Sequence, residues 1–137
     1  MRKQRDSTAC PIVYSLDIWG DPWSLVILRD VLIDNKRHYR EFLASPEGIA
    51  TNVLSSRLQS LVKADILTKT GAPNRAQIAY RPTRKALDLL PAILAIMHWG
   101  VKYNPNTDMG IPLLRELDEN DDELRTRLLA QFHDIAD

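Results

Sequence analysis

The chain has 137 residues, 45% of them hydrophobic and 26% charged, with a formal net charge of zero. That length suits one ordinary globular domain, and no apolar run reaches the ~18 to 20 residues of a membrane span. A single cysteine, Cys10, excludes an internal disulfide framework and a cysteine zinc site, and the charged start "MRKQRDSTACP" lacks the apolar segment of a secretory signal, so a cytoplasmic location is expected.

Residues 1–9 read as a flexible basic arm. "CPIVYSLDIWG" carries Ile12, Leu16 and Trp19 at helical spacing, with Gly20 as a stop. In "GDPWSLVILRDVLID", Asp21 can cap and Pro22 fits a first turn, and Leu25, Leu28, Val31 and Leu32 make the apolar stripe. A short helix follows from about Tyr39 to Leu43. Pro46 and Gly48 then break the pattern as a turn. "GIATNVLSSRLQSLVKADIL" resumes helical time with Val53, Leu54, Leu58, Leu61 and Val62 from near Thr51. "ILTKT" and "QIAYR" alternate like strands around the turn residues of "GAPNRA", giving a hairpin with Asn74 and Arg75 at its tip. Thr83 is placed to cap one long apolar helix running to Tyr103, in which Pro91 should kink the path or remove a backbone bond. Residues 104–112 read as a linker. Residues 113–137 read as an acidic helical tail with Leu124, Leu128, Phe132 and Ile135 on one stripe.

The zero net charge hides a division. Through residue 103 there are 15 basic against 9 acidic side chains, net +6, and from 104 onward 3 against 9, net −6. Between 36 and 85 the balance is 10 to 3. A basic middle beside an acidic end fits a polyanion-binding face, and equally a chance clustering on a solvated surface.

Catalysis finds no support. His38, His98 and His133 stand in no metal-ligand spacing, and there is no phosphate-binding glycine loop or nucleophile elbow. The acidic run Asp118 to Glu123 lacks the calcium-loop pattern and reads as a helix cap and first turn, where acids are favoured. No catalytic residue, metal or cofactor is expected.

A short helix, a turn and a second amphipathic helix make a helix-turn-helix. The second helix, about 51–63, would enter a major groove with Thr51, Asn52, Ser55, Ser56 and Arg57 near its start and Gln59 one turn on. Asn and Gln suit adenine, Arg suits guanine, and Ser or Thr suit phosphates or bases. The hairpin reads as a wing that sets Asn74 and Arg75 against phosphate or the minor groove, or as a clip that ends the domain. Lys36, Arg37, His38 and Arg40 would meet phosphates on the other side. The fold class is therefore mainly α with a small β-hairpin wing. The rival reading is a winged-helix protein-interaction module without sequence-specific DNA binding.

Four stretches, "CPIVYSLDIWGDPWSLVILRDVL", "HYREFLASPEGIATNVLSSRLQSLVKADIL", "YRPTRKALDLL" and "PAILAIMHWG", resemble in order and spacing the HxlR family of bacterial winged helix-turn-helix transcriptional regulators, from Cys10 to Gly100. The resemblance implies a single winged helix-turn-helix domain over 10–103. It also implies a homodimer through residues 11–19 and 84–103, presenting two recognition helices to one double-stranded operator. It further implies that an electrophile or oxidant acts at the position of Cys10, or that a small effector does the modulating. A sensor thiol needs exposure and a favoured thiolate. Cys10 stands before Pro11 at a helix start with Lys3 and Arg5 nearby, yet a lone cysteine is also commonly an inert buried residue. Trp19, Trp23 and Trp99 would line an effector pocket or serve as core and interface. The chain departs from the family at Ala50, where a capping serine is frequent, which leaves Thr51 as either cap or reader. It departs again at Ala86, where glycine is frequent, and in its short "NRAQ" wing.

Overall fold

Pro11 has no N–H to lose in a first turn, and it opens α1 (Pro11–Trp19) in the computed structural model, which describes residues 9–71, 78–107 and 111–135. Gly20 ends α1 in a right-handed conformation, φ −81°, so its left-handed freedom is not what stops the helix. The chain falls into two compact units, Met1–Thr83 and Arg84–Asp137.

In the first unit, α2 (Ser24–Leu32) buries Ile27, Leu28, Val31 and Leu32. Of the expected stripe only Leu25 stays half-buried, and Ile27 takes its place in the core. α3 (Tyr39–Leu43) contributes Phe42, and α4 (Thr51–Lys63) contributes Leu54, Leu58 and Leu61, all 1% exposed or less. The spacing of those three leucines puts them on one side of the helix. α4 then closes through Asp65, which adopts a left-handed φ of 61°, so that Asp65 N–H reaches Val62 O (3.1 Å) and Ile66 N–H reaches Leu61 O (2.9 Å). This reversal launches β1 (Leu67–Thr70), paired antiparallel with β2 (Ala79–Pro82) in the register Leu67↔Pro82 to Thr70↔Ala79. The hairpin base is locked by Thr83: its N–H reaches Ile66 O, and its hydroxyl donates to Asp65 O (2.6 Å) and Ile66 O (3.1 Å). Tyr80 sets its ring edge on Phe42, 6.3 Å between centroids.

A polar network pins the turn between α3 and α4. Asp30 on α2 is 1% exposed. Its Oδ1 accepts from Arg29 Nε and Nη2 (3.1 and 2.8 Å), and its Oδ2 accepts from the Ser45 hydroxyl at 2.6 Å. Ser45 in turn accepts from Lys36 Nζ at 2.6 Å, and Arg29 Nη2 also donates to Glu47 Oε1 at 2.6 Å. Burial disfavours the Arg29 cation, but the hydrogen bonds to Glu47 and Asp30 outweigh it and push the guanidinium pKa up. The Arg29 hydrogen bond conversely holds the Glu47 carboxyl below its ordinary value, against the burial that works to raise it.

In the second unit the expected long helix is two. α5 (Arg84–Leu87) ends at Asp88 and Leu89, and α6 (Leu90–Tyr103) restarts with Pro91 in its first turn, where the missing N–H costs no bond. The tail also forms two helices. α7 (Ile111–Glu119) packs on α6, and α8 (Asp121–Ala130) packs on α7. Asn120 separates them by capping α8: its Oδ1 accepts from Glu123 N–H at 3.2 Å, and the acidic residues Asp121, Asp122 and Glu123 fill the first turn. Of the expected tail stripe, Leu124 and Phe132 are buried, and Leu128 and Ile135 half-buried.

Because the folded Glu47 pKa is depressed, its contribution is present above the unfolded pKa and is lost as pH falls below about 4. Glu47→Gln should therefore lower stability at pH 7 by about 0.5–1 kcal/mol after solvent screening, and its gap to wild type should narrow as urea titrations are taken to acid pH. A gap that does not narrow on acidification would remove that assignment. Asp65→Gly should relieve the left-handed backbone and raise the unfolding free energy by about 1 kcal/mol, with an unchanged or lower melting temperature counting against it.

Candidate nucleic-acid interface

The helix-turn-helix is built from α3, the turn at Ala44–Ala50 and α4. Ser45 N–H reaches Phe42 O and Gly48 N–H reaches Ser45 O, both at 3.2 Å. Gly48 then takes φ +70°, a conformation that disfavours any side chain although the space beside it is open. Ile49 drops into the core at 8% exposure and delivers the chain to the start of α4.

Ala50 occupies the N-cap position and offers no side-chain bond, while Thr51 is the first helical residue and exposed. Of its two sequence roles, Thr51 therefore does not take the cap. A tyrosine that sequence reading passed over supports this end of the helix instead. Tyr39 Oη donates to Thr51 O at 3.0 Å and lies 3.4 Å from Ser55 Oγ, so α3 steadies the first turns of α4. Only its three-dimensional position shows this role, since it lies twelve residues away in sequence.

With Leu54, Leu58 and Leu61 inward, α4 presents Thr51, Asn52, Ser55, Ser56 and Gln59 outward, all exposed. Arg57 stands at the shoulder between the two faces. Its Nη2 donates to Ser56 Oγ at 3.1 Å and its Nη1 lies 3.7 Å from Asp21 Oδ2. Asp21 is the cap sequence reading expected for α2, although that helix proper starts at Ser24. Oδ1 accepts from Trp23 N–H and Ser24 N–H (2.9 Å each), and Oδ2 from the Ser24 hydroxyl. Burial works to raise the Asp21 pKa. The hydrogen bonds from Ser24 and Trp23, with the Arg57 charge, overcome it and hold the carboxyl below its ordinary range.

The basic flank is less uniform than the sequence implies. Lys36 is turned inward to Ser45, with Asp30 Oδ2 3.7 Å away. Arg37 sets Nε 3.4 Å from Asn35 Oδ1, and its carbonyl accepts from Tyr80 N–H at 2.8 Å, which ties the loop before α3 to β2. His38 is exposed, and its Nδ1 lies 3.0 Å from Ile78 O. Arg40 is exposed on α3. Asn74 and Arg75, and Lys3 and Arg5, lie outside the described residues. Cys10 is half-buried at the N-cap of α1. Trp19 and Trp23 are half-buried, and Trp99 is 67% exposed. The small pocket between Trp23, Ile27, Asp30, Phe42 and Ser45 has room for about one water. Among the described residues no cluster of His, Cys, Asp or Glu has the makings of a metal site, and no helix is long and apolar enough to cross a membrane.

The sequence pattern of the HxlR-like helix-turn-helix family matches residues 18–108. Rv3095 of Mycobacterium tuberculosis, named as an uncharacterized HTH-type transcriptional regulator, is 34% identical over 102 residues, which cover 72% of this chain and 61% of that protein. The chain thus matches less than two thirds of that relative's length. YdeP of Bacillus subtilis, named in the same way, is 29% identical over 104 residues, 75% of this chain and 80% of its own. Among solved structures, PA1607 superposes with a TM-score of 0.66 at 34% identity, covering 74% of this chain and 72% of that one. The redox regulator HypR in its oxidized form superposes at 0.61 and 25% identity, over 73% of this chain and all of its own. This chain, mainly helical with a two-stranded antiparallel hairpin, shares the winged-helix fold of these neighbours.

Proposed function

This chain belongs to the HxlR-like helix-turn-helix family, a family of transcriptional regulators and not of enzymes, and from that premise we propose that it acts in the cytoplasm as a homodimer on a pseudo-palindromic DNA operator. The observation that carries this reading is α4: a seated apolar face, and opposite it a run of short polar side chains at the helix start that lets the backbone approach a major groove.

In this reading Asn52 and Gln59 read adenine edges, Arg57 reads guanine, and Thr51, Ser55 and Ser56 bond to bases or phosphates. Arg37, His38 and Arg40 meet the backbone, and the wing carries Asn74 and Arg75 to the neighbouring strand. Lys36 contributes charge from behind its bond to Ser45. Dimerisation draws support from α1, in which six of nine residues are Ile, Val, Tyr, Leu or Trp and none is buried. Further support comes from α6, which exposes Ile96, Trp99 and Tyr103. Its input is either an oxidant or electrophile at Cys10 or a small effector, and since the chain has one cysteine a disulfide formed at Cys10 joins two subunits. HypR, a redox regulator by name, supports a redox input.

Selection from a random-sequence pool should enrich half-sites about 10 base pairs apart or a multiple of that. A dimer neutralising about six phosphates should lose about 10³-fold in affinity between 50 and 200 mM salt, and a flat response would sink the proposal. Arg57→Ala should relax base preference at one position, whereas Arg40→Ala and Arg75→Ala should weaken all sequences alike. Trp99→Glu should halve the mass seen by analytical ultracentrifugation. A wild-type protein already monomeric at micromolar concentration would rule out the dimer.

A further inference from the structure

On the outward side of α4, Arg57 meets a carboxylate of the protein itself. Its side chain is 32% exposed and faces Asp21 across 3.7 Å. Asp21 cannot follow it outward. Two backbone N–H groups hold Oδ1, and Oδ2 takes the hydroxyl of Ser24, which is 1% exposed. For Arg57 to reach DNA it must leave Asp21, and the carboxylate it leaves keeps its other three donors.

We propose that Asp21 is a specificity-determining positioning residue, which occupies Arg57 in place of a DNA phosphate and releases it only to a site that offers more. This rests on the reading that α4 enters the major groove. A phosphate anywhere on a duplex offers Arg57 one anion in exchange for another, a trade with little gain. A guanine edge offers two parallel hydrogen bonds, O6 and N7, which distinguish bases by about tenfold or more. Specificity is a difference between affinities, so withholding a cation from wrong sites raises it as effectively as adding a contact at the right one. The cost is small because the pair is partly solvated. Arg57 thus contributes little on random DNA and its full contact on the operator.

Asp21→Asn isolates the effect. Asn keeps an Oδ1 acceptor for the two backbone N–H groups and caps as well as Asp, its Nδ2 donates to the Ser24 hydroxyl in place of accepting from it, and it no longer holds Arg57 by charge. Wild type, Asp21→Asn and Asp21→Asn/Arg57→Ala are titrated on two duplexes: one enriched from a random pool with the wild-type protein, and a shuffled version of it. Asp21→Asn should bind the shuffled duplex about 2- to 5-fold tighter, with a salt slope steeper by about one phosphate contact. Binding to the enriched duplex should change less, so the ratio falls, and adding Arg57→Ala should erase the gain. An unchanged ratio and slope would overturn the proposal, as would equal weakening on both duplexes with a lowered melting temperature, which marks Asp21 as a cap alone. Arg57→Ala by itself is a second arm that does not depend on the folding of the Asp21 variant. It should lose affinity for the enriched duplex and leave the shuffled one unchanged, and an equal loss on both would overturn the proposal. Failure of the wild-type protein to enrich any sequence would instead refute the DNA reading itself.

Discussion

A carboxylate sealed beneath the helix-turn-helix decides where α4 can stand. Asp30 is buried on α2, and a buried charge is costly unless it is paired and its lone pairs are filled. Arg29 and Ser45 fill them, and Ser45 can do so only if the turn brings its hydroxyl to within 2.6 Å. Lys36 and Glu47 then extend the same network to both sides of α3. Apolar packing of Phe42, Leu54 and Leu58 gives this corner most of its stability but little direction, because burial is proportional to area and has no preferred angle. The network supplies the direction: the turn has one position in which Asp30 is satisfied, and α4 leaves from that turn.

The two faces of α4 then carry separate burdens. Its leucines answer to the core, and the short polar side chains answer to whatever lies outside. Two residues outside the helix mediate between those demands. Tyr39 secures the first turn, where Ala50 supplies no cap, and Asp65 holds the reversal that ends the last turn in a backbone conformation better suited to glycine. The helix is fixed at both ends by neighbours, and of its outward side chains Ser55 meets Tyr39 and Arg57 meets Asp21.

Much of this was legible in the sequence, because hydrophobic period and turn chemistry are local signals. The leucine spacing of α4 and the turn marked by Pro46 and Gly48 read directly, as did the hairpin and the short α3 at Tyr39–Leu43. What escaped was set by partners distant in the chain. Lys36 reads as a surface cation until Ser45 and Asp30 are seen beside it, and Arg57 reads as a free groove contact until Asp21, thirty-six residues earlier, is found across from it. Pro91 announced a break but not its form, since a proline inside a helix and one that opens a new helix share the same apolar surroundings. In the tail, the acidic run Asp118 to Glu123 reads correctly as a cap and first turn, with Asn120 capping α8, and what escaped is the separate helix α7 ahead of it.

The lock at the foot of the hairpin has a consequence for how such a protein can change over generations. Thr83 fastens the outgoing strand to Asp65 and Ile66, the residues that end α4, so the foot of the hairpin is anchored independently of the segment between Gly71 and Ile78. Closing a loop over a fixed base costs only about 0.6 kcal/mol for each doubling of its length. Insertions, deletions and new charges in that segment are therefore nearly neutral for the fold, while a change at Asp30 or Ser45 is not. That segment can drift in length and chemistry with α4 held in place throughout.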